Sequence, residues 1–221
     1  MKRKILYLFS GCLITLLLTL TACNSTNQEE TKPTDVTSPP SAMSETPAPG
    51  NVDYSALGWT EDEIRLWEER GAANVDSAEV ASKIAGFKVV TPGFIPEFLR
   101  PMSKYIIQDH NAGLRSAGIE PKFQWIDVTL LYSPEGEERA PLITLIQSTH
   151  KFNVGLGEQV EICGHPAEKQ VIPTDPENGI PEPGLALGWE SNGIWYYLTG
   201  TLTDTIDEAM LEKVLCSITT D

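Results

Sequence analysis

The strongest constraint on this chain is that its N-terminal part is not available for folding. Lys2, Arg3 and Lys4 precede an apolar run from Ile5 to Leu20, which closes in Leu20-Thr21-Ala22-Cys23. A basic start, a short apolar core and small residues before a cut describe an export signal rather than a folded element. As a membrane span the run is barely long enough, since crossing takes about 20 residues. From Asn24 to Val52 the sequence is Thr, Ser, Pro, Glu, Gln and Asn with almost nothing to bury. Such a segment cannot offset its ordering entropy, and it reads as a tether. The expected organisation is a signal over 1–22, a terminal cysteine with its tether over 23–52, and one domain with a single core over 53–221.

Leu20-Thr21-Ala22-Cys23 resembles the bacterial lipobox. The resemblance implies that Cys23 receives a diacylglycerol thioether, that the preceding peptide is removed, and that the mature protein is lipid-anchored on the extracytoplasmic face of the cell membrane. Two or three acyl chains hold far better than one, so no membrane-spanning helix is needed. The tether would reach roughly 30 Å as a flexible coil and at most about 90 Å as extended polyproline. Loss of the signal leaves 13 basic residues against 31 acidic ones, a formal charge of −18. That balance excludes nucleic acid as a partner, because phosphates demand clusters of Lys and Arg. It also opposes a flat electrostatic contact with anionic headgroups and leaves the anchor to hold the protein there.

With Cys12 in the signal and Cys23 acylated, Cys163 and Cys216 are the cysteines of the mature domain. Outside the cytoplasm two such thiols are more often paired than free. In Val160-Glu161-Ile162-Cys163 the apolar residues alternate, which puts Cys163 on the strand face of Glu161. On a helix from about Ile206, the residues Ile206, Met210, Leu211, Val214, Leu215 and Ile218 form one stripe, and Cys216 projects away from it. A disulfide between them is expected.

Two helix starts are well marked. Thr60 and Glu63 make a capping box with Trp59 and Ile64 as its staple, predicting a helix to Arg70 that stops at Gly71. Asp76 and Glu79 repeat the device, with Val75 and Val80 as the staple and Gly86 as the stop. Strands are expected over 87–91, 103–109, 123–132 and 141–149, where β-branched and apolar residues are broken by Pro or Gly. Residues 159–163 and 166–172 flank Gly164-His165 as a hairpin. In the last hairpin Asn192-Gly193 is the preferred pair for a type I′ turn, so Trp189 should oppose Tyr196 and Leu187 should oppose Leu198. A final helix follows, capped by Thr205 with Glu208. These elements predict an α+β domain: a curved, mainly antiparallel sheet with two N-terminal helices and a closing C-terminal helix.

Chemistry is sparse. No nucleophile elbow, zinc-protease pair, phosphate-cradling loop or dinucleotide fingerprint occurs, so no catalytic residue, metal site or cofactor is expected. His110, His150 and His165 stand singly in turns or at strand ends. Asp127 is the odd acid in an apolar strand, and must be paired with a Lys or Arg or solvated in a groove. The acidic stretches 133–138 and 174–179 lack calcium-loop spacing and read as turns. The best binding candidates are Trp195 and Tyr197 on the second face of the last hairpin, beside the small Ala186 and Gly188. Phe123 and Trp125 extend that surface if the strands share a face. The competing expectation is that a helix covers these rings.

From about Phe87 to Ile218 the order of features is similar to an uncharacterised domain family of bacterial lipoproteins and membrane-anchored regulators. The likeness rests on Thr91-Pro92-Gly93-Phe94-Ile95-Pro96, Gly164-His165-Pro166-Ala167, Gly188-Trp189-Glu190 with Asn192-Gly193, Tyr196-Tyr197-Leu198 and the closing helix. It implies a sheet distantly like those of lipoprotein carriers and envelope-stress sensors. Glu97-Phe98-Leu99 departs from the family's glycine after the second proline. Anchor, tether and compact domain together lead to the expectation of a non-catalytic binding or sensing module that meets an envelope protein or an apolar ligand. The alternative is a carrier sheltering a lipid between sheet and helices.

Overall fold

The computed structural model describes residues 52–102, 104–136, 142–152, 157–178 and 180–220, all within one compact unit. The signal, Cys23 and the tether as far as Asn51 lie outside the described residues, while Val52, expected as its last residue, is partly buried against the core. In chain order the elements are α1 (Glu61–Arg70), β1 (Ala72–Val75), α2 (Ala78–Ala85), β2 (Leu99–Pro101), β3 (Tyr105–Asp109), α3 (Ala112–Ser116), β4 (Ile126–Pro134), β5 (Ile143–Ser148), β6 (Glu158–Ile162), β7 (His165–Ile172), β8 (Gly184–Ser191), β9 (Ile194–Thr201) and α4 (Glu208–Cys216). The nine strands form one sheet in the order β1-β3-β4-β5-β9-β8-β7-β6, with β2 pairing beside β3 on the edge of β4. Every pairing is antiparallel. The α+β class, the antiparallel sheet and the closing helix agree with the sequence. Among the described residues no helix is long and apolar enough to cross a membrane.

Local chemistry explains where the elements begin and end. Thr60 caps α1 through a capping box with Glu63, and Gly71 ends it in the left-handed conformation at φ 65°. Gly86 ends α2 in the same way at φ 77°. The cap of α2 is Ser77 rather than Asp76. Strand β1 keeps the chain extended as far as Val75, opposite Tyr105, and Asp76 turns to Lys104 at 3.6 Å. Likewise Asp207, not Thr205, caps α4. Thr203 Oγ1 accepts the Thr205 and Ile206 amides and so delays the helix.

Residues 87–91, expected as a strand, have no ladder. The Gln147 side chain takes both backbone groups of Val90 instead, its Oε1 accepting from the amide and its Nε2 donating to the carbonyl, each at 2.8 Å. A side-chain amide thus does the pairing of a neighbouring strand. The penultimate hairpin turns at Cys163-Gly164, both at positive φ (56° and 78°). His165 therefore opens β7, and Cys163 sits in the turn rather than on a strand face. Cys163 and Cys216 come together at disulfide distance, with Cα atoms 5.6 Å apart.

The last hairpin has the expected register, Trp189 opposite Tyr196 and Leu187 opposite Leu198. Its apolar face continues through Leu145 of β5 and Leu130 of β4. Those residues pack with Ala81 and Ile84 of α2 and with Ile206, Leu211, Val214 and Leu215 in one core. The two faces of β4 divide the roles: Val128, Leu130 and Tyr132 are buried in this core, while Thr129 and Leu131 stay partly exposed on the other face with Thr144, Ile146 and Thr199.

Candidate functional site

Antiparallel register brings four distant pieces of sequence to one end of this second face. Extending the β3–β4 ladder by one step sets His110 against Trp125, and the His110 amide donates to the Trp125 carbonyl at 3.0 Å. Extending the β4–β5 ladder sets Trp125 against His150. Trp195 of β9 lies opposite Ser148 of β5, two residues before His150. Each of these side chains projects to the same side because residues two apart on a strand share a face.

The rings touch in an unbroken series. Phe123 stacks on His150 at 4.7 Å, His150 meets Trp125 at 4.9 Å, and Trp125 stacks on His110 at 4.3 Å. Trp125 also meets Phe152 at 5.9 Å, Phe152 meets Tyr197 edge-on at 4.9 Å, and Tyr197 stacks with Trp195 at 6.3 Å. Lys151 ends the series, its Nζ 4.7 Å from the centre of the Trp195 ring. All four aromatic residues singled out in the sequence therefore join one surface, linked by His150 and Phe152.

Their roles differ. Phe123 is 53% exposed while Tyr197 is 3% exposed, so Tyr197 supports the surface rather than presenting it. Its hydroxyl accepts the Phe152 amide at 2.6 Å and contacts the Phe152 carbonyl at 3.2 Å, and burial pushes that hydroxyl up to about 12. The space beside the ring expected at Gly188 is taken by Tyr197 itself, whose ring carbons would lie 3.2 Å from a Cβ there. Phe152, not a helix, is what packs over Tyr197.

Asp127 has a partner that the sequence did not suggest. Its Oδ2 lies 2.5 Å from His110 Nε2, and its Oδ1 accepts from the Trp125 indole at 3.2 Å. The carboxylate is 7% exposed and the imidazole 24%, so a histidine, rather than a Lys or Arg, supplies the counter-group a buried carboxylate needs. The pairing could be read only from register, since His110 and Asp127 are seventeen residues apart. The pair orients an imidazole as a hydrolytic base would be oriented, yet among the described residues no Ser, Thr or Cys side chain is hydrogen-bonded to it. No group of three metal-ligating side chains occurs among the described residues. Of the acidic stretches, both of which lie partly outside the described residues, 174–179 shows an Asp175–Ile180 bridge and one short helical turn over Pro176–Asn178.

Beside Phe123 a cleft of about 640 Å³ opens between α1, α3 and residues 120–124. Tyr54, Trp67 and Phe123 supply its rings, and Glu68, Asp109, Arg115 and Glu120 its charges. The Trp67 indole donates to the Tyr54 hydroxyl at 2.8 Å. Asp109, 4% exposed, accepts the Asn111 amide at 2.9 Å and is paired with Arg115. Comparison with protein-family models, curated proteins and solved structures returns no match.

Proposed function

We propose that this chain is a lipid-anchored, extracytoplasmic binding module without catalytic activity, held at the membrane through Cys23 and reaching an envelope component with the ring surface at the end of its sheet. The observation that carries this reading is the series of ring contacts that joins the exposed or partly exposed Phe123, His150, Trp125 and Phe152 and reaches the partly exposed Trp195 over the buried Tyr197. Contiguous apolar surface of this kind marks contact sites, and aromatic side chains provide large contact area at small entropic cost. The carrier alternative finds less support. Ile84, Ile107, Leu145, Leu198 and Leu211 between sheet and helices are at most 1% exposed, which is the packing of a filled core.

The test uses the chain from Asn24 onward, which carries no acyl anchor, and isolated cell envelopes with their proteins retained. Replacing Phe123 and Trp195 together by Ser should reduce cosedimentation about tenfold or more, the effect of losing two aromatic contacts, while leaving the unfolding midpoint near that of the parent. Equal cosedimentation of parent and variant would contradict the proposal.

A further inference from the structure

We infer that the turn running from Gly113 to Phe123, beside the point where the tether enters the domain, dips Leu114 and Ile119 into the lipid bilayer as a second membrane contact. The inference rests on the lipid-anchored reading and names the surface on which the anchored module settles.

The turn stands clear of the rest of the fold. Every residue from Gly113 to Glu120 is exposed, and a Cβ placed at Gly113 or Gly118 would meet nothing within 4 Å. Three of the four most exposed large apolar side chains among the described residues lie on it, Leu114 at 42%, Ile119 at 53% and Phe123 at 53%. The Leu114 carbonyl accepts the Ile119 amide at 2.9 Å, which holds those two residues at one tip. Apolar exposure concentrated in this way marks a contact.

The chemistry of the tip selects lipid. The amides of Arg115, Ala117, Gly118 and Ile119 donate to carbonyls of residues 111–115, so the tip can enter an apolar layer without stranding them. Its polar side chains are engaged within the fold: Arg115 pairs with Asp109, and Ser116 Oγ donates to the Glu68 carbonyl at 3.2 Å. What remains is Leu114 and Ile119 among Gly and Ala, a surface poor in the hydrogen bonds that orient a protein partner. The chain has 31 acidic residues, yet none falls between His110 and Ile119. Lys122 follows at the base of the turn, where its stem can lie along the acyl boundary and its ammonium among the headgroups.

Position agrees with chemistry. The described domain begins at Val52, and Tyr54 lines the same cleft as Ser116, Glu120, Pro121 and Phe123. The chain that leads back to Cys23 therefore leaves the domain beside this turn. A tether of roughly 30 Å holds the tip at an effective concentration on the order of millimolar, so a contact of about millimolar strength is well populated once the anchor is in place. A weak apolar contact added to an acyl anchor follows the rule that stable membrane attachment takes two signals.

The experiment sediments the chain from Asn24 onward with protein-free phosphatidylcholine vesicles and with protein-bearing envelopes. The parent should bind the vesicles with a constant of about 10³ M⁻¹, below the roughly 10⁴ M⁻¹ of a single myristoyl chain. Leu114→Ser combined with Ile119→Ser should lower that constant about tenfold or more and leave the unfolding midpoint near that of the parent, since both side chains are exposed. Trp195→Ser should leave vesicle binding unchanged and weaken envelope binding. No sedimentation with the vesicles, equal sedimentation of the parent and the Leu114 and Ile119 variant, or binding that needs added phosphatidylglycerol overturns the inference. A loss confined to protein-bearing envelopes also overturns it, because it would assign the tip to a protein. If the vesicle results fail while Trp195→Ser still weakens envelope binding, the ring surface stands without this contact. If Trp195→Ser is silent while the tip variant loses vesicle binding, the contact stands without the ring surface.

Discussion

Replacing Gln147 by Leu should destabilise the domain by about 3 kcal/mol. Gln147 is 0% exposed, and both its side-chain atoms are spent on Val90. Leu has similar bulk and no amide, so the substitution leaves the Val90 N–H and C=O orphaned beside Val89 and Val90, which are 6% and 7% exposed. Each orphaned group costs about 1–3 kcal/mol. Removing the buried amide itself returns about 1–2 kcal/mol of desolvation, and the net falls near 3. With a urea slope of about 2 kcal/mol per molar the midpoint should drop by about 1.5 M, and the thermal midpoint by about 6–12 °C. Urea unfolding of the full-length protein followed by both tryptophan fluorescence and circular dichroism measures this, coincidence of the two transitions testing the two-state assumption. Gln147→Glu should be at least as damaging near neutral pH, where the new carboxylate repels the Val90 carbonyl, and should recover as acid protonates it. A change within about 0.5 kcal/mol for Gln147→Leu, the range of ordinary surface substitutions, would refute the argument that this amide stands in for a strand.

Three further outcomes follow from the same structure. Cys163 and Cys216 are separated by 53 residues, so losing their cross-link through Cys216→Ser should cost about 4 kcal/mol in the loop-entropy account, and thiol titration of the unfolded parent should find neither of them free. Gly71→Ala should cost about 3 kcal/mol or more, because Gly71 has φ 65° and a Cβ there would stand 2.2 Å from the Asp109 carbonyl oxygen; thermal unfolding reads it. Burial pushes the hydroxyls of Tyr196 and Tyr197 up to about 12. Their folded values exceed the unfolded value of about 10, so their contribution is complete below about pH 10 and is lost as the pH rises toward about 12. The urea midpoint should therefore be flat up to about pH 9 and fall above about pH 10.

The parts of the fold legible in the sequence are those fixed by local chemistry. Thr60 with Glu63, Gly71, Gly86 and Asn192-Gly193 each specify their own backbone geometry, and each lies where the residues alone put it. The failures have a common cause in tertiary competition. Val75 opposite Tyr105 moved a cap from Asp76 to Ser77, and Gln147 supplanted a strand partner for Val90. Strand β1, Ala-Ala-Asn-Val, carries too little β-branched or aromatic character to announce itself and exists because β3 offers an edge. The site was half legible for the same reason. Trp195 and Tyr197 share a strand, which alternation reveals. The meeting of His110, Trp125, Asp127 and His150 depends on the alignment of three strands, which no single stretch of sequence contains.

The account as a whole depends on an acylated Cys23 holding the ring-bearing domain at a membrane. Its most direct test is the intact mass and phase partitioning of the mature protein from its native host. The account predicts a chain beginning at Cys23 with the added mass of a diacylglycerol and an acyl group or a free amine, recovered in the detergent phase, and an unprocessed product from Cys23→Ala. A parent chain of unmodified mass that partitions into the aqueous phase would contradict it.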